Sequence, residues 1–415
     1  MLRIFLTGDN HIGLKYMGHG AAGTVLAQKR MDAFQNMVQI ANEEECGLFV
    51  IAGDLFENTR ITKKEMQPLL ETLSRFHGTV AVLPGNHDYY EKDSKLWEYF
   101  RDIAAEKGNI LLLNQYEPQP ISVNGENVVL YPAPCMSKHS APGENNLGWI
   151  RDLQIVPDDT YRVGIAHGAV EGETIDNEGA YFLMSRQELE SIPVDAWLIG
   201  HTHVPFPKNV AGDYADCGKI FNAGTHVQTD VNCRTEGLCF IIQIAEDKRV
   251  QAKKVVTGNV RFYREELDLS AGEMERKLDY CLNKIGDDSV VDLILRGVVD
   301  ADEYAARQSI VGGKLSRFIE GTYRDAGLSR LITRDLIDAE FPETSFSAKF
   351  LSALIDEPKE AQLAYDKETG KSMTQGCVEI RALRLGCQLA FWECFLGWKP
   401  PQCYQMMRRQ PSYPI

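Results

Sequence analysis

No run of apolar residues in this chain approaches the roughly 18 to 20 needed to span a bilayer, so no membrane-crossing helix is expected. The opening stretch from Met1 to Asp9 turns polar too soon for a secretory signal, which leads to the expectation of a cytoplasmic protein. Ten cysteines are present, yet none forms a C-x-x-C pair, and Cys46, Cys239 and Cys281 fall inside apolar-patterned segments. That scatter argues against a disulfide scaffold and for reduced, mostly buried thiols. Basic residues are also short, 44 against 59 acidic, for a formal charge of -15. Such a balance excludes nucleic-acid binding through bulk electrostatics, and any polyanionic substrate must be attracted locally. Bound divalent cations can supply that attraction, being often the largest charges in a site. No internal repeat stands out.

What is present is the ordinary mixture of a soluble globular protein, 44% hydrophobic and 25% charged, with enough apolar residues for a sizeable core. A length of 415 residues exceeds what one core usually organises, so two domains and an appended tail are expected. Up to about residue 258, short runs rich in β-branched residues alternate with stretches of helical period, the pattern of a layered α/β domain. Strands are predicted at Leu2 to Thr7, Leu48 to Ala52, Val80 to Leu83, Val128 to Tyr131, Arg162 to Ala166, Ala196 to Ile199 and Leu238 to Ile244. Met31, Phe34, Met37, Val38 and Ala41 are spaced to bury one face of a helix within Val25 to Glu44. A hairpin is expected over Gln243 to Val256, turning at Glu246 to Lys248.

From residue 259 to 342 the pattern predicts a smaller α+β domain. A strand at Arg261 to Leu267 leads to a helix from Ala271 to Ile285 capped by Ser270, then a strand at Val290 to Val298. From Asp302 to about Ala364 the chain reads as helices with a break at Phe341 and Pro342. Residues 366–415 change character, holding four of the ten cysteines and two of the five tryptophans, with no periodic element. A poorly ordered or aberrant C-terminus is expected there.

Five short signatures carry chemistry: Asp9-Asn10-His11, Gly53-Asp54, Gly85-Asn86-His87-Asp88, Ala166-His167-Gly168 and Gly200-His201-Thr202-His203. Taken singly, an Asp-x-His triplet is compatible with turn capping, and two nearby histidines with a plain surface pair. All five, however, follow predicted strands, and the crevice outside strand carboxyl ends is where layered α/β folds bind ligands. Carboxylate, amide and imidazole donors together suit Mn²⁺, Fe or Zn²⁺ rather than Ca²⁺. Alternate residues of an extended loop share a face, so His201 and His203 can present their rings together.

In these motifs the sequence resembles the calcineurin-like metallophosphoesterases, whose pattern is D-x-H, G-D, G-N-H-(D/E), H and G-H-x-H, over about residues 1–258. The resemblance implies a fold of two central β-sheets flanked by helices and a site with two divalent metal ions. One ion would take Asp9, His11, Asp54 and His203, and the other Asp54, Asn86, His167 and His201, with Asp54 bridging. Two cations about 3.5 to 4 Å apart can acidify a shared water and neutralise the charge of phosphoryl transfer. His87, which the family does not use as a ligand, would protonate the leaving alkoxide, with Asp88 orienting its ring. His19 is expected on a mobile connection near the site mouth; His226 follows a strand and either touches substrate or, as is favoured, lies at the surface, while His77 and His139 lack supporting neighbours.

Within the superfamily the sequence is similar to the DNA repair exonuclease branch, the SbcD-like nuclease subunits of double-strand-break repair complexes. His11-Ile-Gly-Leu after the first aspartate, the Ala52-Gly-Asp-Leu-Phe-Glu run and the α+β region beginning at Arg261 carry that likeness. It implies DNA as substrate, manganese as metal, a capping domain that binds DNA, and an SbcC-like ABC-type ATPase with a long coiled coil as partner; a homodimer is compatible with it. Phe346, Phe350, Leu351, Leu354 and Ile355 lie at helical spacing in a segment, 343–365, that would dock on that ATPase or pack within its own domain. Glu57 departs from the branch, some members of which place a histidine there, and a carboxylate at that point repels phosphate unless it turns away. Two rival functions share these residues: a phosphatase or cyclic-nucleotide phosphodiesterase, and a non-catalytic adaptor.

Overall fold

The computed structural model describes residues 1–155, 158–173 and 180–356. Its elements run β1 (Leu2–Thr7), α1 (Ala22–Glu43), β2 (Leu48–Ala52), α2 (Lys63–Leu73), β3 (Thr79–Leu83), α3 (Lys95–Lys107), β4 (Ile110–Leu112) and β5 (Gln119–Val123). There follow β6 (Glu126–Ala133), α4 (Gly148–Arg151), β7 (Tyr161–His167), α5 (Arg186–Ser191), β8 (Ala196–Gly200), β9 (Ala215–Asp216) and β10 (Ile220–Asn222). The chain continues through β11 (Leu238–Ile244), β12 (Val250–Val256), β13 (Arg261–Ser270), α6 (Met274–Leu282), β14 (Ser289–Val299), α7 (Ala301–Leu315), β15 (Glu320–Arg330) and α8 (Arg334–Glu340).

Two sheets form the first part, in the orders β4-β3-β2-β1-β11-β12-β9 and β10-β8-β7-β6-β5. Successive side chains of a strand point to opposite faces, and β1 shows why both faces need apolar residues. Leu2, Ile4 and Leu6 meet Leu130, Val163, Ile165 and Leu198 of the second sheet, whereas Phe5 turns outward to Phe34, Met37 and Phe49 under the helices. A strand buried on both sides reads as a continuous apolar run, which is how Leu48–Ala52 appears in the sequence. The outer face of the second sheet is covered through Trp197, Ile199, Leu189 and Ile192. The layers are therefore helix, sheet, sheet, helix, the mixed α/β architecture expected, and the predicted hairpin is β11 and β12 in antiparallel register.

After β12 the chain enters a separate parallel sheet, β13-β14-β15, with its own apolar cluster. Val291, Leu293 and Leu295 of β14 pack beneath Leu278, Leu282, Val311 and Leu315 of α6 and α7. This sheet belongs to the unit Met1–Arg330, and the change of character near residue 258 coincides with the passage from β12 into it.

Two expectations need correction here. Ser270 is the last residue of β13 rather than a helix cap; α6 starts at Met274 behind Glu273, which makes no side-chain cap. The stretch after Asp302 is not all helix, since Glu320–Arg330 forms β15, parallel to β14. Its sequence, EGTYRDAGLSR, lacks apolar alternation because β15 is an edge strand that sends only Tyr323 and Leu328 into the cluster. Pairing to β14, rather than local propensity, makes it a strand.

The unit beginning at Leu331 is described as far as residue 356. Residues 346–356 are helical, and Leu351 and Ala348 pack on Ile337 of α8, while Phe346 and Phe350 stack with centroids 5.8 Å apart and face outward. The remainder of the segment expected to dock, and the tail 366–415, lie outside the described residues. Among the described residues no helix is long and apolar enough to cross a membrane, and all six cysteines are free, three of them buried.

Candidate metal centre

The five signatures leave the carboxyl ends of β1, β2, β3, β7 and β8. Three of these strands are parallel neighbours in the first sheet and two in the second, so face-to-face packing brings their loops to one edge. His167 ties the two sheets together there: its Nδ1–H donates to Ala52 O at 2.9 Å. The loops are tightly turned, with Asp9, His11, Asp54 and His201 all at positive φ, a conformation that costs non-glycine residues energy and clusters at functional sites. Two glycines permit the approach. A Cβ on Gly53, itself at φ +90°, would lie 2.1 Å from His167 Nδ1, and one on Gly85 would lie 2.2 Å from Asp54 Oδ1.

The seven predicted donors come together in two overlapping sets. In one, His11 Nε2 is 3.2 Å from His203 Nε2 and 3.9 Å from Asp54 Oδ2, and His203 Nε2 is 3.9 Å from Asp9 Oδ1. In the other, Asn86 Oδ1 lies 3.0 Å from both His167 Nε2 and His201 Nδ1, and His167 Nε2 is 3.3 Å from Asp54 Oδ2. Asp54 belongs to both. Imidazole nitrogens, carboxylate oxygens and an amide oxygen thus converge across short gaps with Asp54 shared, a set of nitrogen and oxygen donors that suits divalent cations. The donor set fits divalent ions on that observation. Asp9, His11, Asp54 and His167 are buried, His203 much less so.

Electrostatics follow from the crowding. Burial alone would raise the Asp54 carboxyl, but the positive charge and hydrogen bond of His167, with His11 and His87 beyond, hold it far below the usual carboxylate range. Burial likewise works against protonation of His167, yet Asp54 overcomes it and pushes that imidazole up to about 9. His201 goes the other way, to about 4, through burial and repulsion by His167.

Two expected roles are revised. Asp88 does not orient the His87 ring: its carboxylate accepts from the backbone N–H groups of Gly85 and Phe56, at 2.7 and 2.9 Å, which holds the loop itself. The His87 ring instead donates Nδ1–H to Glu57 O at 3.0 Å, and its backbone N–H donates to Asp54 Oδ1 at 2.8 Å. Burial and the nearby Asp54 charge raise Asp88 to about 7. Glu57, feared as a repulsive carboxylate, turns its Oε2 to His11 Nδ1 at 3.0 Å.

His226 is fully buried, not at the surface. Asn10 Nδ2 donates to its Nδ1 at 3.2 Å and its Nε2–H donates to Arg30 O at 3.1 Å, while burial and the Arg30 charge depress it to about 3. Arg30 in turn donates Nη1 to Asn10 O at 2.6 Å and Nε to the Tyr16 hydroxyl at 3.0 Å. This buried set holds the Asp9 to His11 loop from beneath. The His19 ring is hydrogen-bonded to Glu320 and lies against Phe262. Tyr181, which no sequence signal marked, lies beside His201 with ring centroids 5.0 Å apart, and with Lys138 it lines the mouth of the site. His77 and His139 take no part in the cluster.

Residues 2–205 match the family model for calcineurin-like phosphoesterases, a span holding all seven donors and His87. Over that span, just under half of the chain, the protein is similar to the calcineurin-like phosphoesterases. Among solved structures, the chain is similar to the protein TT1561 of Thermus thermophilus, at 11% identity over 62% of this chain and 99% of that one, with a TM-score of 0.38. It is also similar to a dimetal phosphatase from Danio rerio, at 10% identity over 61% of this chain and 98% of that one, with a TM-score of 0.34. The family and the candidate metal cluster together support a metal-dependent hydrolase of phosphate esters.

Proposed function

We propose that the phosphoesterase domain is a two-metal phosphodiesterase that cleaves DNA in repair, acting with an ABC-type ATPase of the coiled-coil kind. The observation that carries the reading is the paired donor set with His87 beside it, anchored through Nδ1 to Glu57 O so that Nε2 is left for substrate. Asp9, His11, Asp54 and His203 would hold one divalent ion, and Asp54, Asn86, His167 and His201 the other, Mn²⁺ being the expected metal with Fe and Zn²⁺ as alternatives. When bound, the ions supply positive charge against the phosphoryl oxygens and acidify the attacking water.

The protein groups do the rest. His87 holds a proton at Nε2 and gives it to the departing alkoxide, reverting to the neutral tautomer that Glu57 O already stabilises. Such a proton matters for an alkoxide leaving group, as in a phosphodiester backbone. Asp88 fixes the loop through Gly85 and Phe56, keeping Asn86 and His87 in place together. The DNA reading is supported by the Ala52 to Glu57 run and by the separate parallel sheet after residue 260, and the ATPase reading by outward-facing Phe346 and Phe350. DNA attraction in a chain of charge -15 would depend on the metal ions and local cations.

One assay separates the alternatives: purified protein with Mn²⁺, given labelled single- and double-stranded DNA, bis-p-nitrophenyl phosphate and a phosphomonoester. DNA digestion abolished by Asp54→Ala and by His87→Ala supports the nuclease. Hydrolysis of monoesters alone would make the chain a phosphatase, and no hydrolysis with any divalent metal would favour an adaptor.

A further inference from the structure

Two cavities meet at His87 and Lys138. The first, about 350 Å³, is the mouth of the metal cluster, bounded by Asp54, Asn86 and His203. The second, about 840 Å³, runs from the same two residues towards Tyr16, Met17, Ile61 and Tyr89, with Lys15 and Arg60 at its border. Nothing in the hydrolysis described above uses this second space. Its size falls within the range of roughly 300 to 1,000 Å³ that holds an organic ligand.

Its lining is chemically mixed in an informative way. Tyr16 and Ile61 are buried walls, whereas Met17 is left 86% exposed at the rim, an apolar side chain in water with no packing of its own. Lys15, Arg60 and Lys138 are all exposed, in a protein that is otherwise strongly acidic. Of the two carboxylates of the cavity, Glu57 faces His11, whereas Glu65 accepts from the backbone and hydroxyl of Thr62 and keeps its charge within reach of Lys15. Three cations thus face two carboxylates in the lining, which leaves an excess of positive charge for a ligand.

We infer that this cavity is the leaving-group subsite and that the leaving group it fits is a nucleotide. An aromatic base would lie against Tyr89 and Met17, and a further phosphate between Lys15 and Arg60. Aromatic faces and cations together are the usual means of holding a single nucleotide without reading its identity. The inference rests on the phosphodiesterase reading, because the direction of departure is set by His87. In the step, a water that gives one proton to solvent bonds through its oxygen to phosphorus, the ester P–O bond breaks, and its electron pair takes the proton held at His87 Nε2, which solvent then replaces. The freed hydroxyl then lies on the side of the second cavity. A phosphomonoester with a small alcohol would leave that space unused.

The test uses the full chain with Mn²⁺ and two diesters, bis-p-nitrophenyl phosphate and a thymidine dinucleotide phosphorylated at both ends, so that either cleavage direction releases a phosphate-bearing nucleotide. Lys15→Ala with Arg60→Ala should lower the ratio of kcat/KM for the dinucleotide over bis-p-nitrophenyl phosphate at least tenfold. Calorimetric titration of thymidine 3′,5′-bisphosphate without added metal should show binding to the unaltered chain, at least fivefold weaker in the double variant. If bis-p-nitrophenyl phosphate is hydrolysed but ratio and affinity are both unmoved, the subsite is wrong while the phosphodiesterase reading stands. If the unaltered chain hydrolyses neither diester, that reading falls and the leaving-group assignment falls with it.

Discussion

Nδ1 of His11 lies 3.0 Å from Oε2 of Glu57, so the carboxylate sits on the far side of the ring while Nε2 is turned towards His203 and Asp54. The pair acts in both directions. Glu57 helps raise the His11 pKa against the opposing effect of burial, and His11 in turn holds Glu57 below its ordinary value although burial would raise it. A carboxylate behind a metal-facing histidine fixes the tautomer and makes the free nitrogen a better ligand.

Glu57→Ala should therefore weaken metal binding by about 10- to 100-fold, the effect expected from loss of such a partner. Glu57→Gln, which keeps an acceptor oxygen beside Nδ1, should lose less. Titration calorimetry with Mn²⁺ reads both. Equal affinities for the two variants and the unaltered chain would show that Glu57 does not orient His11.

His87→Ala should lower kcat on bis-p-nitrophenyl phosphate by about 10²- to 10⁴-fold, the usual worth of a positioned proton donor. Metal content by elemental analysis should stay at the unaltered level, because the ring, although it lies edge-on to His11 with centroids 4.8 Å apart, commits Nδ1 to Glu57 O. Full activity with both metals bound would remove His87 from the mechanism.

Gly53→Ala should destabilise the chain by about 2 kcal/mol or more, combining a positive φ with a collision on His167. Urea unfolding measures the loss, and metal affinity should fall with it because the displaced ring is a predicted ligand. A glycine to alanine change at Gly108, also at positive φ but with open space around its Cβ position, should cost less.

Acid should destabilise the protein partly through His226. Buried and depressed from 6.5 to about 3, this imidazole stays neutral in the folded chain while the unfolded chain takes up a proton below 6.5. Stability is thus lost as pH falls from about 6.5 towards about 3, by on the order of a few kcal/mol. Chemical denaturation at pH 7 and pH 4.5 should show a smaller difference for His226→Gln than for the unaltered chain. An identical pH slope in the two would mean that His226 is not the titrating group.

Much of the first domain was legible because its central strands are buried on both faces. Leu2–Thr7 and Leu238–Ile244 were read to the residue, since continuous apolar runs leave little freedom in where a strand begins. The small second sheet was legible only in part. β13 and β14 carry apolar residues at alternate positions, but β15 lies at an edge and needs few, so its sequence looks like the helix beside it.

The site divides in the same way. Residue types and spacing marked the five loops, and the resemblance of their pattern to the calcineurin-like metallophosphoesterases singled out Asp9, His11, Asp54, Asn86, His167, His201 and His203 as ligands. Which atoms face which was decided by tertiary packing. Only the folded chain turns Glu57 to His11, gives the His87 ring to a backbone carbonyl rather than to Asp88, and buries His226 with Asn10 and Arg30. Motifs record the chemistry a residue can do, whereas a partner some thirty or two hundred positions away is chosen by how the sheets and loops close around it, and no local pattern carries that choice.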